Sequence, residues 1–148
     1  MKIAIGNDHA GYDLKSAILK YLHEKAIIAV DCGSNSKDSC DYPDYAKDVA
    51  LKVISKEVEA GILICGTGIG MSICANKFKG IRAALCLNTE MARLSRRHNN
   101  ANILCLGARL INQNEAIDII HAWLNSSFEG GRHEKRLSKI AECENPEY

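Results

Sequence analysis

Residues 59–78 read EAGILICGTGIGMSICANKF: an apolar run ends at a cysteine and is followed by three alternating glycines and a helix-like segment. Glycines at a strand-to-helix turn bring backbone N–H groups and a helix N-terminus to one point, where a phosphate or a developing negative charge can be held. The stretch therefore predicts a buried strand, an anion-binding turn and a helix, with Cys65 at the start of the turn. The alternative is a tight turn in which the glycines serve only the backbone geometry.

The same alternation of strand and helix runs along the whole chain. Apolar runs predict strands at residues 2–6, 26–31, 61–65, 81–86 and 102–107. Helical spacing marks residues 14–22 and 46–54, further helices are predicted at 70–79, 89–98 and 113–125, and a last one follows Gly130-Gly131. Continuous apolar strands alternating with helices predict an α/β fold, a three-layer Rossmann-like domain over residues 1–148. Its five-stranded parallel sheet is flanked by helices, and a C-terminal helix is added.

Composition narrows the classes of partner. The net charge is +1 and aromatic residues make up 5% of 148 residues, which gives no general basis for binding nucleic acid or an anionic membrane. The chain turns charged at Asp8, unlike a signal peptide or a membrane span. Seven cysteines without any CxxC pair argue against a disulfide framework or a zinc ribbon. We expect a cytoplasmic protein with free thiols.

Position distinguishes Cys65 from the other cysteines. Cys86 and Cys105 belong to strand-like runs and Cys74 to a helix, where cysteine acts as a small buried apolar residue. Only Cys65 stands directly before the glycine turn, where N–H groups and the helix dipole favour the thiolate. Such a thiol is a nucleophile or a general base, and the residues alone leave both roles open beside that of buried filler.

Functional residues of a parallel sheet lie beyond the carboxyl ends of its strands. This rule selects the loops 6–11, 31–45, 65–70, 86–89 and 107–109. Asp8-His9 in the first loop faces the crevice or merely begins a helix. Tyr42 in the second lines a pocket, unless Pro43-Asp44 only start the next helix.

A second basic group lies outside these loops. Arg132 and Arg136 are four residues apart on one helix face with His133 beside them, which suits a phosphate, although a solvated basic face is the alternative. His98 ends a helix, where a histidine can simply interact with the dipole. The histidines, at 9, 23, 98, 121 and 133, show no metal-site spacing such as HExxH, so no metal is predicted.

Five blocks in order carry a family resemblance: GNDHAGYDLK (6–15), DYPDYA (41–46), GILICGTGIGMSICANKFKGIRAALC (61–86), ARLSRRHNNANILCLGARL (92–110) and FEGGRHEKRL (128–137). Through them the chain resembles the type B ribose-5-phosphate isomerases, a group that includes allose-6-phosphate and galactose-6-phosphate isomerases. The resemblance implies an aldose–ketose isomerase that acts on a phosphorylated pentose without metal or cofactor. It also implies a homodimer, or a dimer of dimers, with the site at the subunit interface.

The resemblance also implies residue roles. Cys65 would move the proton between C1 and C2, and His98 would act in opening the furanose ring. Some members instead carry a carboxylate on the helix after the glycine loop, but that helix here begins Met71-Ser72. The resemblance further implies that Asp8 acts at the ring oxygens and that Tyr42 forms the pocket wall. The enediolate would be held by the backbone amides of Gly66, Thr67, Gly68, Ile69 and Gly70, with the Thr67 hydroxyl as relay and Asn99 at a sugar hydroxyl or enediolate oxygen. The phosphate would be bound by His9, Arg109, Arg132 and Arg136.

Three rival functions stay open. A nucleotide- or flavin-binding module would use a glycine turn, but the dinucleotide fingerprint wants glycine where Met71 stands. A thiol hydrolase using Cys65 and His98 leaves the arginines unexplained. An allose-6-phosphate isomerase, or one subunit of a galactose-6-phosphate isomerase, is the alternative within the family.

Overall fold

The computed structural model describes residues 1–145 and residue 147. Strands and helices alternate along the chain. The strands are β1 (Lys2–Asn7), β2 (Ile28–Asp31), β3 (Ala60–Cys65), β4 (Ala83–Leu85) and β5 (Ile103–Gly107). The helices are α1 (Tyr12–Glu24), α2 (Tyr42–Ile54), α3 (Ile69–Ala75), α4 (Thr89–Asn99), α5 (Gln113–Leu124) and α6 (Arg132–Glu142), and a short 3-10 turn at His9–Gly11 precedes α1.

All five strands pair in parallel in the order β2-β1-β3-β5-β4. The central strand β3 is buried along its whole length, as its continuous apolar run requires. One layer of helices covers each face of the sheet, α1, α4 and α5 on one and α2 and α3 on the other. The predicted three-layer parallel α/β fold is confirmed.

Element boundaries differ from the prediction where side chains end an element early. Helix α3 stops at Ala75 because the next residue, Asn76, bonds the backbone of both α3 and β4: its Nδ2 donates to the Ser72 and Ala83 carbonyls at 2.9 Å, and its Oδ1 accepts from the Ala83 N–H. The second strand starts two residues later than predicted, since Ala26 adopts a positive φ of 55° at the end of α1.

The two ends of the sheet differ in what they carry. Strands β1, β3 and β5 end side by side, with Cys65 opposite Gly107 in the register, and these ends form the carboxyl edge. Helix α4 starts beyond the end of β4 and runs back, so that Asn99 lies beside Arg82, which directly precedes β4. The segment before α6 is joined to the end of α4 by the Glu129 N–H, which donates to the Arg97 carbonyl at 3.0 Å. Residues 97–99 and 129–133 therefore lie at the opposite, amino edge.

Among the residues that the structure describes, no helix is both long and apolar enough to cross a bilayer.

Candidate active site

The glycine turn places a backbone donor against the Cys65 thiol. Cys65 ends β3 with 5% of its surface exposed, and its Sγ accepts a hydrogen bond from the Gly68 N–H at 3.1 Å. Gly68 has a φ of +76°, a left-handed conformation that favours glycine and that turns its N–H toward the sulfur. The sulfur therefore has a backbone donor on the side that faces the turn.

Two side chains lie directly against the turn. A Cβ on Gly66 would stand 2.8 Å from an Arg109 guanidinium nitrogen, and a Cβ on Gly70 would stand 2.6 Å from the Tyr42 ring. The Arg109 N–H also donates to the Gly66 carbonyl at 2.9 Å, which fixes the end of β5 to the turn. The missing side chains therefore make room for a cation and a phenol at the mouth of the turn, where a small anionic ligand would be held.

Thr67, at the top of the turn, is exposed, and its Oγ1 accepts a hydrogen bond from the Ile69 N–H at 3.3 Å. The hydroxyl hydrogen is thus left to donate outward.

Asp8 is buried beside the turn, and only one of its two carboxylate oxygens is used in hydrogen bonds within residues 1–145 and 147. Its backbone N–H donates to the Ile64 carbonyl at 3.1 Å, next to Cys65. Its Oδ1 caps the 3-10 turn, accepting from the Ala10 and Gly11 N–H groups at 2.9 and 3.2 Å. Within residues 1–145 and 147, no hydrogen bond reaches Oδ2, so this oxygen remains for a ligand.

The tautomer of His9 follows from a contact that the sequence did not indicate. Its Nδ1 accepts a hydrogen bond from the Cys40 N–H at 3.3 Å. The neutral imidazole therefore carries its hydrogen on Nε2, a donor suited to an anion. Cys40 belongs to an irregular loop, whose position no periodic pattern could predict.

A second group of side chains lies at the amino edge. The His98 and His133 rings stack with centroids 4.3 Å apart at 11°. Glu129 Oε2 lies 3.7 Å from the Nε2 of each ring, and Oε1 accepts from Arg97 Nε at 2.6 Å. This hydrogen bond, with the charge of Arg97, lowers the pKa of the Glu129 carboxyl. Sequence reasoning missed Glu129, although it stands inside the FEGGRHEKRL block.

His133 is buried, with 5% of its surface exposed. Burial lowers the pKa of this imidazole, and the charges of His98, Arg132 and Arg136 lower it further, against a smaller raising effect of Glu129. His133 therefore takes up a proton less readily than an imidazole in water.

The cluster of His98, Glu129 and His133 has ligand atoms within 4.8 Å of one another, close enough to hold a cation. The sequence spacing did not reveal it. Arg97 already occupies the carboxylate, and Arg132 and Arg136 add positive charge nearby. A cation is thus disfavoured, and we assign no metal there.

Arg132 and Arg136 begin α6 with exposed side chains, and neither makes an ion pair with a carboxylate in the described part of the chain. Asn99 follows His98 at the end of α4 and is exposed, and its carbonyl accepts a hydrogen bond from Arg82 Nε at 3.1 Å.

The sequence-predicted residues thus fall into two halves. The carboxyl-edge half holds the candidate base with its glycine turn and two of the candidate phosphate ligands. Its residues are Asp8, His9, Tyr42, Cys65, Gly66, Thr67, Gly68, Ile69, Gly70 and Arg109. The amino-edge half holds His98, Asn99, Arg132 and Arg136. No hydrogen bond or ion pair between described side chains joins the halves.

Comparison with known proteins gives concordant matches. A family model described as Ribose/Galactose Isomerase matches residues 3–140. Ribose-5-phosphate isomerase B of Escherichia coli is 48% identical over 143 residues, covering 97% of this chain and 96% of that protein. The structure of ribose-5-phosphate isomerase B of Clostridium thermocellum superposes with a TM-score of 0.96 at 51% identity, covering 97% of each chain. That of Mycoplasma genitalium, solved with bound ribulose-5-phosphate, superposes with a TM-score of 0.92 at 45% identity, covering 97% of this chain and 95% of the other.

Proposed function

The chain belongs to the Ribose/Galactose Isomerase family, and we propose that it interconverts ribose 5-phosphate and ribulose 5-phosphate without metal or cofactor. The observation that carries the proposal is the Cys65 thiol at 3.1 Å from the Gly68 N–H, at the start of the glycine turn, with Asp8 bonded to the neighbouring Ile64 carbonyl. Such a site has a base and an oxyanion pocket in contact, which is what proton transfer next to a carbonyl requires.

Ring opening precedes this transfer, because the aldose phosphate is mainly a closed furanose. The O1 hydroxyl loses its proton, the C1–O4 bond breaks as the C1 carbonyl forms, and O4 gains a proton. We assign these proton movements to His98 and Asp8, one acting at the O1 hydroxyl and the other at the ring oxygen O4.

Isomerisation then moves one proton between carbons. The Cys65 thiolate takes the C2 proton, the electrons form the C1–C2 double bond, and O1 bears the negative charge, which the N–H groups of residues 66–70 stabilise. The O2 proton is transferred to O1, with the Thr67 hydroxyl as relay, and Cys65 returns its proton to C1. Oxyanion donors of this kind are worth about 3–4 kcal/mol each.

The substrate phosphate stays remote from the reacting carbons and fixes their position. His9 through Nε2 and Arg109 would bind it from the carboxyl-edge half, and Arg132 and Arg136 from the amino-edge half. Asn99 would contact a sugar hydroxyl, and Tyr42 would form the pocket wall.

We propose that a second copy of the chain joins the two halves in a homodimer with two shared sites. A two-fold axis lets the amino-edge half of one subunit reach the carboxyl-edge half of its partner, and the reverse. Apolar side chains around the carboxyl edge support an interface there, since each is 41–58% exposed: Ile69, Ile73, Leu87, Met91 and Leu110. All seven cysteines are free thiols, consistent with the reducing cytoplasm as location.

The test is conversion of ribose 5-phosphate by the purified protein with EDTA present, compared with Cys65→Ala. Loss of a general base lowers turnover by about 10²–10⁴-fold. Cys74→Ala on α3, a nearby half-buried thiol outside the site, is the matched control and retains activity. Full activity of Cys65→Ala would move the base elsewhere, loss of activity in EDTA would refute metal-free chemistry, and absence of wild-type turnover would refute the substrate.

A further inference from the structure

Glu129 and His133 support the His98 imidazole from two directions. His133 stacks its ring on that of His98, and Glu129 Oε2 lies 3.7 Å from His98 Nε2. The His98 side chain is 34% exposed, so without such support its ring could rotate into other conformers.

The support itself is rigid. Arg97 binds Glu129 through both the backbone and the side chain. The Glu129 N–H donates to the Arg97 carbonyl, and the Glu129 Oε1 accepts from Arg97 Nε. The His133 side chain is 7% exposed, and its backbone N–H is bonded to the Gly130 carbonyl at 3.1 Å. The stacked buried ring, with the carboxylate 3.7 Å from Nε2, thus restricts the orientation of His98.

We propose that Glu129 and His133 are positioning residues that hold the His98 imidazole for opening of the furanose ring. The inference rests on the proposed function, in which His98 moves a proton during opening of the furanose ring. Neither residue would touch the substrate carbons, so the later proton transfer by Cys65 does not depend on them.

The charged residues around Glu129 and His133 favour a positioning role for these two residues. Arg97 on α4 faces Glu129, while Arg132, Arg136 and Glu134 belong to the same helix as His133. Burial lowers the pKa of His133, so this ring takes up a proton less readily, which disfavours a pair of like charges in the stack.

The helix also links this support to substrate binding. Arg132 and Arg136, the proposed phosphate ligands, flank His133 on α6. A phosphate that draws the two arginines into place would fix the beginning of α6, and with it the ring on which His98 rests. Phosphate binding would therefore reinforce the alignment of His98 that Glu129 and His133 already provide.

The test separates ring opening from the carbon proton transfer in the full-length protein. Ribulose 5-phosphate cannot close a furanose, so its C1 hydrogen exchanges with D₂O through Cys65 alone, and NMR follows that exchange. Conversion of ribose 5-phosphate needs both steps. Glu129→Gln and His133→Ala are expected to lower conversion by about tenfold or more, since aligned acid–base catalysis contributes about 10²–10⁴-fold. Deuterium exchange is expected to stay within about twofold of wild type, because the Cys65 base is untouched.

Two further variants keep the test falsifiable. His133→Phe retains a flat ring and is expected to recover most of the conversion lost in His133→Ala. Glu134→Gln removes the same charge from the exposed first turn of α6 and is expected to keep both activities. A parallel fall of conversion and exchange, unchanged conversion in Glu129→Gln and His133→Ala, or a His133→Phe variant as impaired as His133→Ala would overturn the proposal. If the wild-type protein shows neither conversion nor exchange, the proposed function itself fails.

Discussion

Two variants that are each defective are expected to regain activity when they share a dimer. Cys65 ends a strand at the carboxyl edge, whereas His98 lies near the end of the 11-residue helix that runs back from that edge. At 1.5 Å per residue this helix spans about 16 Å, so one chain keeps the two groups at opposite edges of its sheet. Cys65→Ala and His98→Ala therefore damage different halves of each site.

The activity expected of the reassembled mixture follows from counting the intact sites in a two-fold dimer. When equal amounts of the two variants are unfolded and reassembled together, half of the dimers are hybrids. Each hybrid has one intact site, formed by Cys65 of the His98→Ala chain and His98 of the Cys65→Ala chain, and one site with both lesions. The mixture should therefore show about 25% of wild-type activity above the residual activity of the parents.

The assay is turnover of ribose 5-phosphate, with hybrid content measured by native mass spectrometry of differently tagged chains. A second mixture gives the matched control: the double variant, Cys65→Ala with His98→Ala, reassembled with wild type. Its hybrids contain no intact site, so activity should fall to about 25% of wild type, whereas sites within single chains would leave about 50%. Activity of about 50% in this control, together with no gain in the first mixture despite hybrid formation, would refute the shared site.

Three further changes test the local structure. Gly68→Ala and Gly80→Ala each place a side chain on a residue with positive φ, at a cost of roughly 1–2 kcal/mol, but only Gly68→Ala crowds other atoms, with its Cβ 2.6 Å from Leu85 Cδ1. In urea unfolding, Gly68→Ala should therefore lose about 1–3 kcal/mol more of the free energy of unfolding than Gly80→Ala. Equal losses in the two variants would contradict the crowding. Folding lowers the pKa of His133 below 6.5, so below pH 6.5 the unfolded chain binds more protons than the folded chain. The free energy of unfolding should therefore fall as the pH drops from 6.5 toward the lower pKa of the folded state. Unfolding curves of His133→Phe should lack this part of the pH dependence, and an unchanged dependence would show that another group causes it. A Cβ on Gly33 would lie 1.7 Å from Asn7 Oδ1, so Gly33→Ala should expel that buried amide and cost about 2 kcal/mol or more in urea unfolding, and wild-type stability would contradict the packing.

The elements of the fold follow from the sequence better than the arrangement of the site. Continuous apolar runs such as GILIC can only be satisfied in a sheet covered on both faces, which is why strand number and fold class are correctly predicted. The rule about carboxyl ends correctly selects the loops of Asp8, Cys65 and Arg109 as neighbours at one edge. Strand order was not predictable, because the apolar pattern of an element does not specify which strand it will pair with.

Contacts between irregular segments explain the residues that were missed. Cys40 and Glu129 lie in loops with no period, and their partners His9 and His98 are 31 residues away in each case along the chain. Neither contact depends on a local pattern that could be seen in the sequence. Only the sharing of one carboxylate by His98, His133 and Arg97 gives Glu129 its significance, and that sharing exists only after α4 and α6 pack together.

The start of α6 nevertheless carries a signal of function that is readable from charge alone. Two arginines four residues apart repel each other by a few tenths of a kcal/mol, and positive side chains in the first turns also oppose the helix dipole. Glycines at 130 and 131 precede them instead of a capping side chain, so the local choices are unfavourable to an isolated helix. Sequences break local rules of this kind mainly where a site needs them broken. A phosphate dianion between the arginines would remove the repulsion and satisfy the helix terminus, which would explain unfavourable charges at this position.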